Sequence, residues 1–517
     1  MTAASADMAD TVALPVEQVR RLEAAAMAVL PEGTLMQRAA AGLAVVCADE
    51  LKHRVGRVTG SRVVALVGSG DNGGDALYAG ARLARRGARV DALLAGQRWH
   101  VRGAQALRAA GGRVHQVDDL VAAGERIAAA DLVIDAILGI GGRGALREPA
   151  ATLAGVAYQT EVPVVAVDLP SGVDADTGWV EGAAVHATRT VAFGVLKPGL
   201  LAGPGAALAG ELTVIDIGLD LRGAAALPGS VRLMTDTVAA QAIPRPGVTD
   251  DKYSRGVLGI TAGSARYPGA AILCTGAARH GAAGLIRYVG PVAAEVVRRW
   301  PDVVTSGGSP GGTGRVQCWV AGPGRGTDEE ARRAVLEALA SDVVVMLDAD
   351  ALTLLAAHDD VRAAVRTRLA PTVLTPHAGE FARLGGVPPE RDRIAAVRDL
   401  AASLGAVVLL KGAATVVADP AGTTYVSNNA PAELATAGSG DVLSGLIGSL
   451  LAHGQARSER DGTTLSDSSA AELAAAAAHV HGLAGQVAAA SGRPVAAADV
   501  LDALPEAVAR LRAATGP

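Results

Sequence analysis

Short apolar runs recur along this 517-residue chain at the spacing of buried parallel strands, and they fall into two sets. The first comprises VVALV (63–67), RVDALL (89–94), DLVIDAI (131–137), VPVVAVD (162–168), TVAFGV (190–195) and LTVIDI (212–217). The second comprises VLGITAG (257–263), GLIRYVG (284–290), VQCWVAG (316–322), VVVMLDAD (343–350), TVLTP (372–376) and AVVLLKG (406–412). Helix-like stretches lie between the runs, a pattern of βαβ units on a mostly parallel sheet. Between the sets the pattern lapses in GLDLRGAAALPGS (218–230), a candidate linker. Two α/β domains are expected, 1–222 and 236–517. The second should end in helices, broken by a polar surface loop at 454–469.

Composition fits this and excludes other classes. Half of the residues are hydrophobic, but with only 4 Trp, 6 Tyr and 2 Phe the cores must be built from Ala, Val and Leu. A net charge of −5 without a basic stripe argues against a nucleic-acid partner. Cys47, Cys274 and Cys318 form no CxxC pair and are expected to be buried, reduced thiols. The opening residues carry acids where a secretory signal needs a basic patch. The Ala-rich segment 470–490 contains Glu472, His479, His481 and Gln486, and is expected to be a buried helix rather than a membrane span. A cytoplasmic homo-oligomer with small-molecule substrates is expected.

The stretch VVALVGSGDNGGD (63–75) has the outline of a dinucleotide fingerprint, with Asp91 about where a ribose-binding acid would lie. Asp71 and Asp75 contradict it, because a pyrophosphate needs N–H groups rather than two carboxylates in one turn. Two further Gly-flanked carboxylate turns follow strand runs, DAILGIGGRG (135–144) and DLPSGVDADTG (168–178). Ligands of open parallel sheets bind beyond the carboxyl ends of strands, so Asn72, Asp135, Asp168 and Ser171 could meet at one edge. Hard oxygens of this kind suit a monovalent or divalent cation, although each acid alone could be a helix cap or a turn residue.

With FGVLKPGL (193–200), and with QVRRLEAAAM (18–27) and LMQRAAAGLA (35–44) as lead-in helices, these motifs resemble the NAD(P)H-hydrate epimerase family over about 16–219. Ala76 stands where that family usually has a further glycine. The resemblance implies a Rossmann-like three-layer domain and K+ held by Asn72, Asp135 and Ser171. It implies hydrated NAD(P)H contacting Asn72, Gly73, Gly74, Asp75, Ala76, Gly139, Ile140, Gly141, Gly142, Arg143, Gly144, Ala145 and Asp168. Asp168 is the expected proton carrier. Lys197 is either a second participant or a solvated or salt-bridged lysine.

In the second half, ATAGSGDVLSGLIGSLLA (435–452) places Gly438-Ser439-Gly440 at the start of an apolar helix, where free N–H groups and the helix dipole face an anion. Asp441 in the first turn is placed to take a proton from a hydroxyl attacking phosphorus. VVLLKGAAT (407–415) delivers Lys411 at a strand end, LTPHAGE (374–380) adds His377 and Glu380, and LDADAL (347–352) adds Asp348. With KYSRGVLGITAG (252–263) and WVAGPGRG (319–326), these resemble the ADP/ATP-dependent NAD(P)H-hydrate dehydratase family, a ribokinase-like α/β fold, from about 249 onward. Ser439 stands where threonine is common. The resemblance implies adenine nucleotide at Lys411, Gly412, Ala413, Ala414, Thr415 and Gly440, with Mg2+ accompanying ADP or ATP. It implies hydrated cofactor at Ala270, Gly324, His377 and Asp441, with Asp441 catalytic.

Together these imply a bifunctional repair enzyme. It would interconvert R and S hydrates of NADH and NADPH, then dehydrate the S form with ADP or ATP as phosphoryl donor. Two alternatives stay open on the residues alone: a ribokinase-type small-molecule kinase with a non-catalytic N-terminal domain, and a nucleotide-sensing scaffold with degenerate sites.

Overall fold

The computed structural model describes residues 11–306 and 308–514, which form two compact units with the main boundary between Arg232 and Leu233. The first unit is built on a seven-stranded sheet: β1 (Arg62–Val67), β2 (Arg89–Leu94), β3 (Arg113–Gln116), β4 (Leu132–Ala136), β5 (Val164–Val167), β6 (Arg189–Phe193) and β7 (Glu211–Ile215). They lie in the order β3-β2-β1-β4-β5-β6-β7, and every pairing is parallel. Their continuous apolar character follows from burial on both faces. In β1, Val63, Ala65 and Val67 join the core under helices Thr34–Val55 and Asp71–Arg85, whereas Val64 and Leu66 join the core under Leu120–Ala128 and Ala150–Gln159. The reversal of strand order between β1 and β4 opens the crevice where the three Gly-flanked turns end.

From Val257 onward the second unit contributes nine strands: β8 (Val257–Thr261), β9 (Leu285–Val289), β10 (Val304–Ser306), β11 (Cys318–Ala321), β12 (Val344–Leu347), β13 (Thr372–Leu374), β14 (Val407–Leu410), β15 (Thr415–Ala418) and β16 (Thr424–Ser427). Their order is β10-β9-β8-β11-β12-β13-β14-β15-β16, parallel up to β14, with β15 and β16 added antiparallel. One face carries helices Pro268–Ala278, Ser439–Arg460, Asp467–Ala489 and Ala497–Ala514. With so few aromatics, close helix approach makes this core. A Cβ at Gly445 would fall 1.9 Å from the Cys274 carbonyl oxygen, and one at Gly448 would fall 2.2 Å from Val320, so the Asp441-bearing helix lies directly on its neighbours.

Both units are α/β with mostly parallel sheets, as expected, with three differences in detail. The expected loop at 454–469 is mostly helix: Ser439–Arg460 runs through its start and Asp467–Ala489 begins inside it. Buried Gln455 and Ala456 hold the first part, and Glu459 pairs with Arg315 at 2.7 Å. The candidate linker is not free-standing, since Leu219, Leu221 and Ala224 are buried in the first unit's core. Residues 71–76 form the first turns of a helix rather than a loop. All three cysteines are free and buried. The 470–490 segment is a buried helix up to Ala489, and among the described residues no helix is long and apolar enough to cross a membrane.

Two candidate active sites

In the first unit the glycines of GSGDNGGD serve close packing. A Cβ on Gly68 would lie 1.8 Å from the Ile137 carbonyl oxygen, so the turn after β1 presses on the turn after β4. Gly139 is likewise pressed on Asn72, whose side chain a Cβ there would meet at 2.4 Å. Asn72 donates from Nδ2 to the Val167 carbonyl at 2.7 Å, which directs its Oδ1 away from that carbonyl. The Ser171 hydroxyl donates to Asp135 at 2.7 Å, and the Ser171 N–H donates to the other carboxylate oxygen at 2.8 Å. Burial pushes the Asp135 carboxyl up to about 6 against the opposing bonds from Ser171 and Ile137. Asn72, Asp135 and Ser171 thus meet in one cluster with the Leu138 carbonyl. One buried carboxylate among neutral oxygens fits a monovalent cation in charge and donor type.

Asp168 lies just past the end of β5 with φ +70°, a left-handed conformation uncommon for a non-glycine residue. Its carboxylate accepts from Lys197 Nζ and, at 3.0 Å, from the Phe193 N–H. Lys197 is 1 % exposed. Of the two readings of Lys197, the salt-bridged one describes its position, and solvation does not. Asp75 is 5 % exposed, and its Oδ1 has no hydrogen-bond partner among the described residues. Burial, then Asp168, Asp71 and Glu23, hold its carboxyl well above the usual range. The puzzle of two acids in one turn thus has a physical answer: Asp71 is exposed, whereas Asp75 favours its neutral form, which can donate a hydrogen bond. A cleft of about 140 Å³ is lined by Leu169 and Pro170, which follow Asp168 directly, and by Leu138, Gly142, Arg143, Gly144, Trp179 and Glu181.

Sequence reasoning missed Glu23 and Trp179. Glu23, on helix Val16–Met27, has a pKa raised by burial and shaped by Lys197, Asp168 and Asp71. Its motif suggested only a lead-in helix. Asp91, by contrast, is paired with His115 at 2.8 Å within β2 and β3, so it is engaged in the sheet rather than free for a ribose.

In the second unit Gly438, at φ +88°, turns the chain into helix Ser439–Arg460. A Cβ on Gly440 would lie 3.6 Å from Lys411 Nζ, so the helix N-terminus and the ammonium face one space. Lys411 pairs with Asp348 at 2.8 Å and lies 3.9 Å from Glu380. Burial opposes its charge, but Asp348, Glu380 and Asp441 outweigh that and raise its pKa. Asp441 is pushed up to about 7 by burial and then by Asp348, with Lys411 working the other way. That value suits a general base near neutral pH. Ala270 and Gly324 are neighbours: a Cβ on Gly324 would lie 2.7 Å from that of Ala270.

His377 is placed differently from the others. Its Nδ1 accepts from the N–H groups of Gly379 and Glu380, and the Glu380 side chain returns the bond to the His377 N–H, a capping box for helix Ala378–Arg383. The 411–415 loop leads from β14 into β15. It is braced by Arg393, which donates to the carbonyls of Leu410, Lys411 and Ala414 at 3.1, 2.9 and 3.0 Å. Sequence reasoning missed Arg393, since no motif marks it.

Comparison with known proteins gives matches to both units. The family described as YjeF-related protein N-terminus matches residues 32–199, and that described as NAD(P)H-hydrate dehydratase matches 258–506. The bifunctional NAD(P)H-hydrate repair enzyme of Mycobacterium leprae is 52 % identical over 442 residues, covering 85 % of this chain and 89 % of the relative. Its counterpart in Corynebacterium glutamicum is 36 % identical, covering 87 % and 89 %. A crystal structure of ADP/ATP-dependent NAD(P)H-hydrate dehydratase from Bacillus subtilis, co-crystallised with ATP/Mg2+, is 26 % identical and covers 54 % of this chain and 97 % of that one, with a TM-score of 0.46.

Proposed function

The chain belongs to the bifunctional NAD(P)H-hydrate repair enzyme family, and on that footing we propose how its two sites divide the work. It repairs hydrated NADH and NADPH: it epimerises the R and S hydrates and dehydrates the S form with ADP or ATP as phosphoryl donor. Relatives that match across both units leave no ground for the kinase or scaffold alternatives.

In the first site Asp168 carries the proton that epimerisation at C6 of the nicotinamide ring requires. Lys197 orients it through a buried pair. Neutral Asp75 donates to the substrate, where an anion would repel phosphate. Asn72, Asp135, Ser171 and the Leu138 carbonyl would hold K+, whose charge would balance the buried carboxylate and order the turns around the cleft.

In the second site Asp441 takes the proton from the C6 hydroxyl as that oxygen attacks the terminal phosphorus of the nucleotide. Lys411 and the N–H groups around Gly440 neutralise the phosphate. The C6–O bond then breaks, the oxygen leaving with the phosphate, and loss of a C5 proton restores the ring double bond. Lys411 is accompanied by the carboxylates of Asp348, Glu380 and Asp441, and Asp350 acts on Asp441 in turn, so incoming phosphates need further positive charge. Mg2+ travelling with the nucleotide would supply it. Free, buried cysteines support a reducing, cytoplasmic setting.

The observation that carries this reading is Asp441, its pKa raised and its side chain without a partner among the described residues, facing Lys411 across a glycine helix start in the same chain as the Asp168–Lys197 pair. The test is purified protein with an R/S mixture of NADH hydrate, followed at the dihydronicotinamide absorbance. Complete recovery of NADH with ADP, and none without it, is expected. Recovery stalling at the S fraction would remove the epimerase, and recovery without nucleotide would remove the phosphoryl step.

A further inference from the structure

The second site turns on a residue that neither touches the glycine turn nor has a proton-transfer role. Asp348 is 1 % exposed and follows β12 directly. One carboxylate oxygen accepts from Lys411 Nζ at 2.8 Å, and the other accepts from Ser444 Oγ at 2.5 Å. Ser444 lies on the helix that begins at Ser439, three residues beyond Asp441. Its hydroxyl is also 2.9 Å from the Gly440 carbonyl, but its one proton belongs with the nearer, charged acceptor. With one oxygen held by a cation and the other by a hydroxyl, Asp348 is poorly placed to accept a substrate proton.

Its turn is fixed from further sides. A Cβ on Gly322 would fall 1.9 Å from the Asp348 carbonyl oxygen, so this turn bears on the start of the Gly322–Gly326 loop. Asp350 accepts from the Gly326 N–H at 2.8 Å. Between them Ala349 has φ +51°, a strained conformation for alanine that packing must impose. The turn therefore ties together the strand end bearing Lys411, the helix start bearing Asp441 and the loop bearing Gly324.

We propose that Asp348 is a positioning residue for the dehydration: it fixes the Lys411 ammonium against the Gly440 helix start and, through Ser444, the helix turn that carries Asp441. This rests on the reading of Lys411 as the phosphate contact and Asp441 as the base. The charged and titratable groups facing Asp441 are Asp348, Asp350, Lys411 and the buried Cys274 thiol. Asp348 therefore acts twice, orienting one cation and opposing ionisation of the base.

Steady-state dehydration of the S hydrate by the full-length protein tests this, with D348N, D348E, S444A, K411A and D441N compared. D348N is expected to raise KM for ADP by about tenfold or more. It should also move the acid limb of kcat down by about one pH unit, since a neighbouring negative charge is gone. D348E restores that limb towards the wild-type position while KM stays raised, which separates charge from geometry. A folded D348N with unchanged KM and limb overturns the proposal. If D348N does not fold, S444A decides: kcat should fall with KM for ADP retained, and an unchanged kcat overturns the tether. K411A and D441N separate this from the reading beneath it. If K411A leaves KM for ADP unchanged, or D441N keeps kcat, that reading fails. If both behave as expected and D348N does not, only the positioning role fails.

Discussion

Two aspartates that are assigned proton transfer occupy opposite electrostatic settings in this chain. Asp168 is ion-paired to a lysine that is itself almost fully buried. Asp441 has no side-chain partner among the described contacts; burial and Asp348 oppose its charge more than Lys411 supports it. In the first unit the carboxylate's charge is compensated inside the protein before substrate arrives. In the second, on the proposed reading, the compensation comes with the substrate hydroxyl, whose proton the carboxylate is to take. Reversible epimerisation, which must hand the same proton back, suits a fixed pair. Phosphoryl transfer, which drives one way, suits a base left uncomfortable.

The largest effects should come from the same substitution made at each site. D441N should lose dehydration by roughly 10³-fold or more while epimerisation continues, and D168N should lose epimerisation by roughly 10²–10⁴-fold while dehydration of pure S hydrate continues. Asn suits both places, since it tolerates positive φ at 168 and a helix start at 441. Single-epimer assays on both variants check this. One variant losing both activities would dissolve the contrast.

Stability should move in opposite directions. D168N leaves Lys197 buried without its carboxylate, a change that typically costs about 3–5 kcal/mol. D441N removes a charge that the fold resists. The folded pKa of Asp441, about 7, lies above that of an unfolded aspartate, so its penalty is absent below about pH 4 and complete above pH 7. D441N should therefore gain about 1–2 kcal/mol, a few degrees of melting temperature at pH 8, and nothing at pH 4. Calorimetry at the two pH values reads both signs, and a D441N gain that is equal at both would disprove the charge explanation.

A pH profile sharpens the contrast further. As the base protonates, dehydration should fall about tenfold per unit below pH 7. Acid insensitivity down to pH 5 in single-turnover rates would mean that another group takes the proton. The smallest effect is expected from replacing K+ with tetramethylammonium, which should slow epimerisation and leave dehydration unaltered. Equal slowing of both reactions would move the cation requirement away from Asn72, Asp135 and Ser171.

What the sequence disclosed depended on how locally the information is written. The runs VVALV and VVLLKG declare buried strands because burial on both faces removes any polar alternation. β3, with the sequence RVHQ, was missed because it is a half-exposed edge strand with a single apolar residue. The β15–β16 hairpin escaped because Thr415 was read as part of a site rather than as the first residue of a strand. The glycine turns disclosed the site elements, since close approach demands glycine at fixed local positions. Lys197 remained ambiguous because its partner is 29 residues away, and the Ser444–Asp348 bond spans 96 residues with no motif joining its ends. Arg393 is one arginine among many until the carbonyls it braces are seen. Motifs mark the parts proposed to touch ligand, whereas pairings across the fold set how those parts are charged and aimed.

The scarcity of aromatic rings makes the protein readable by light. Of the four tryptophans, Trp300 and Trp319 are buried in the second unit and Trp99 packs on the first core, while Trp179 lines the first cleft. Dihydronicotinamide absorbs where tryptophan emits, and its hydrates do not. Intact dihydronicotinamide entering that cleft would therefore quench Trp179 and glow by energy transfer, whereas bound hydrate would do neither. With Trp179 as the donor beside the cleft, the emission spectrum can distinguish damaged from mended ligand without a label.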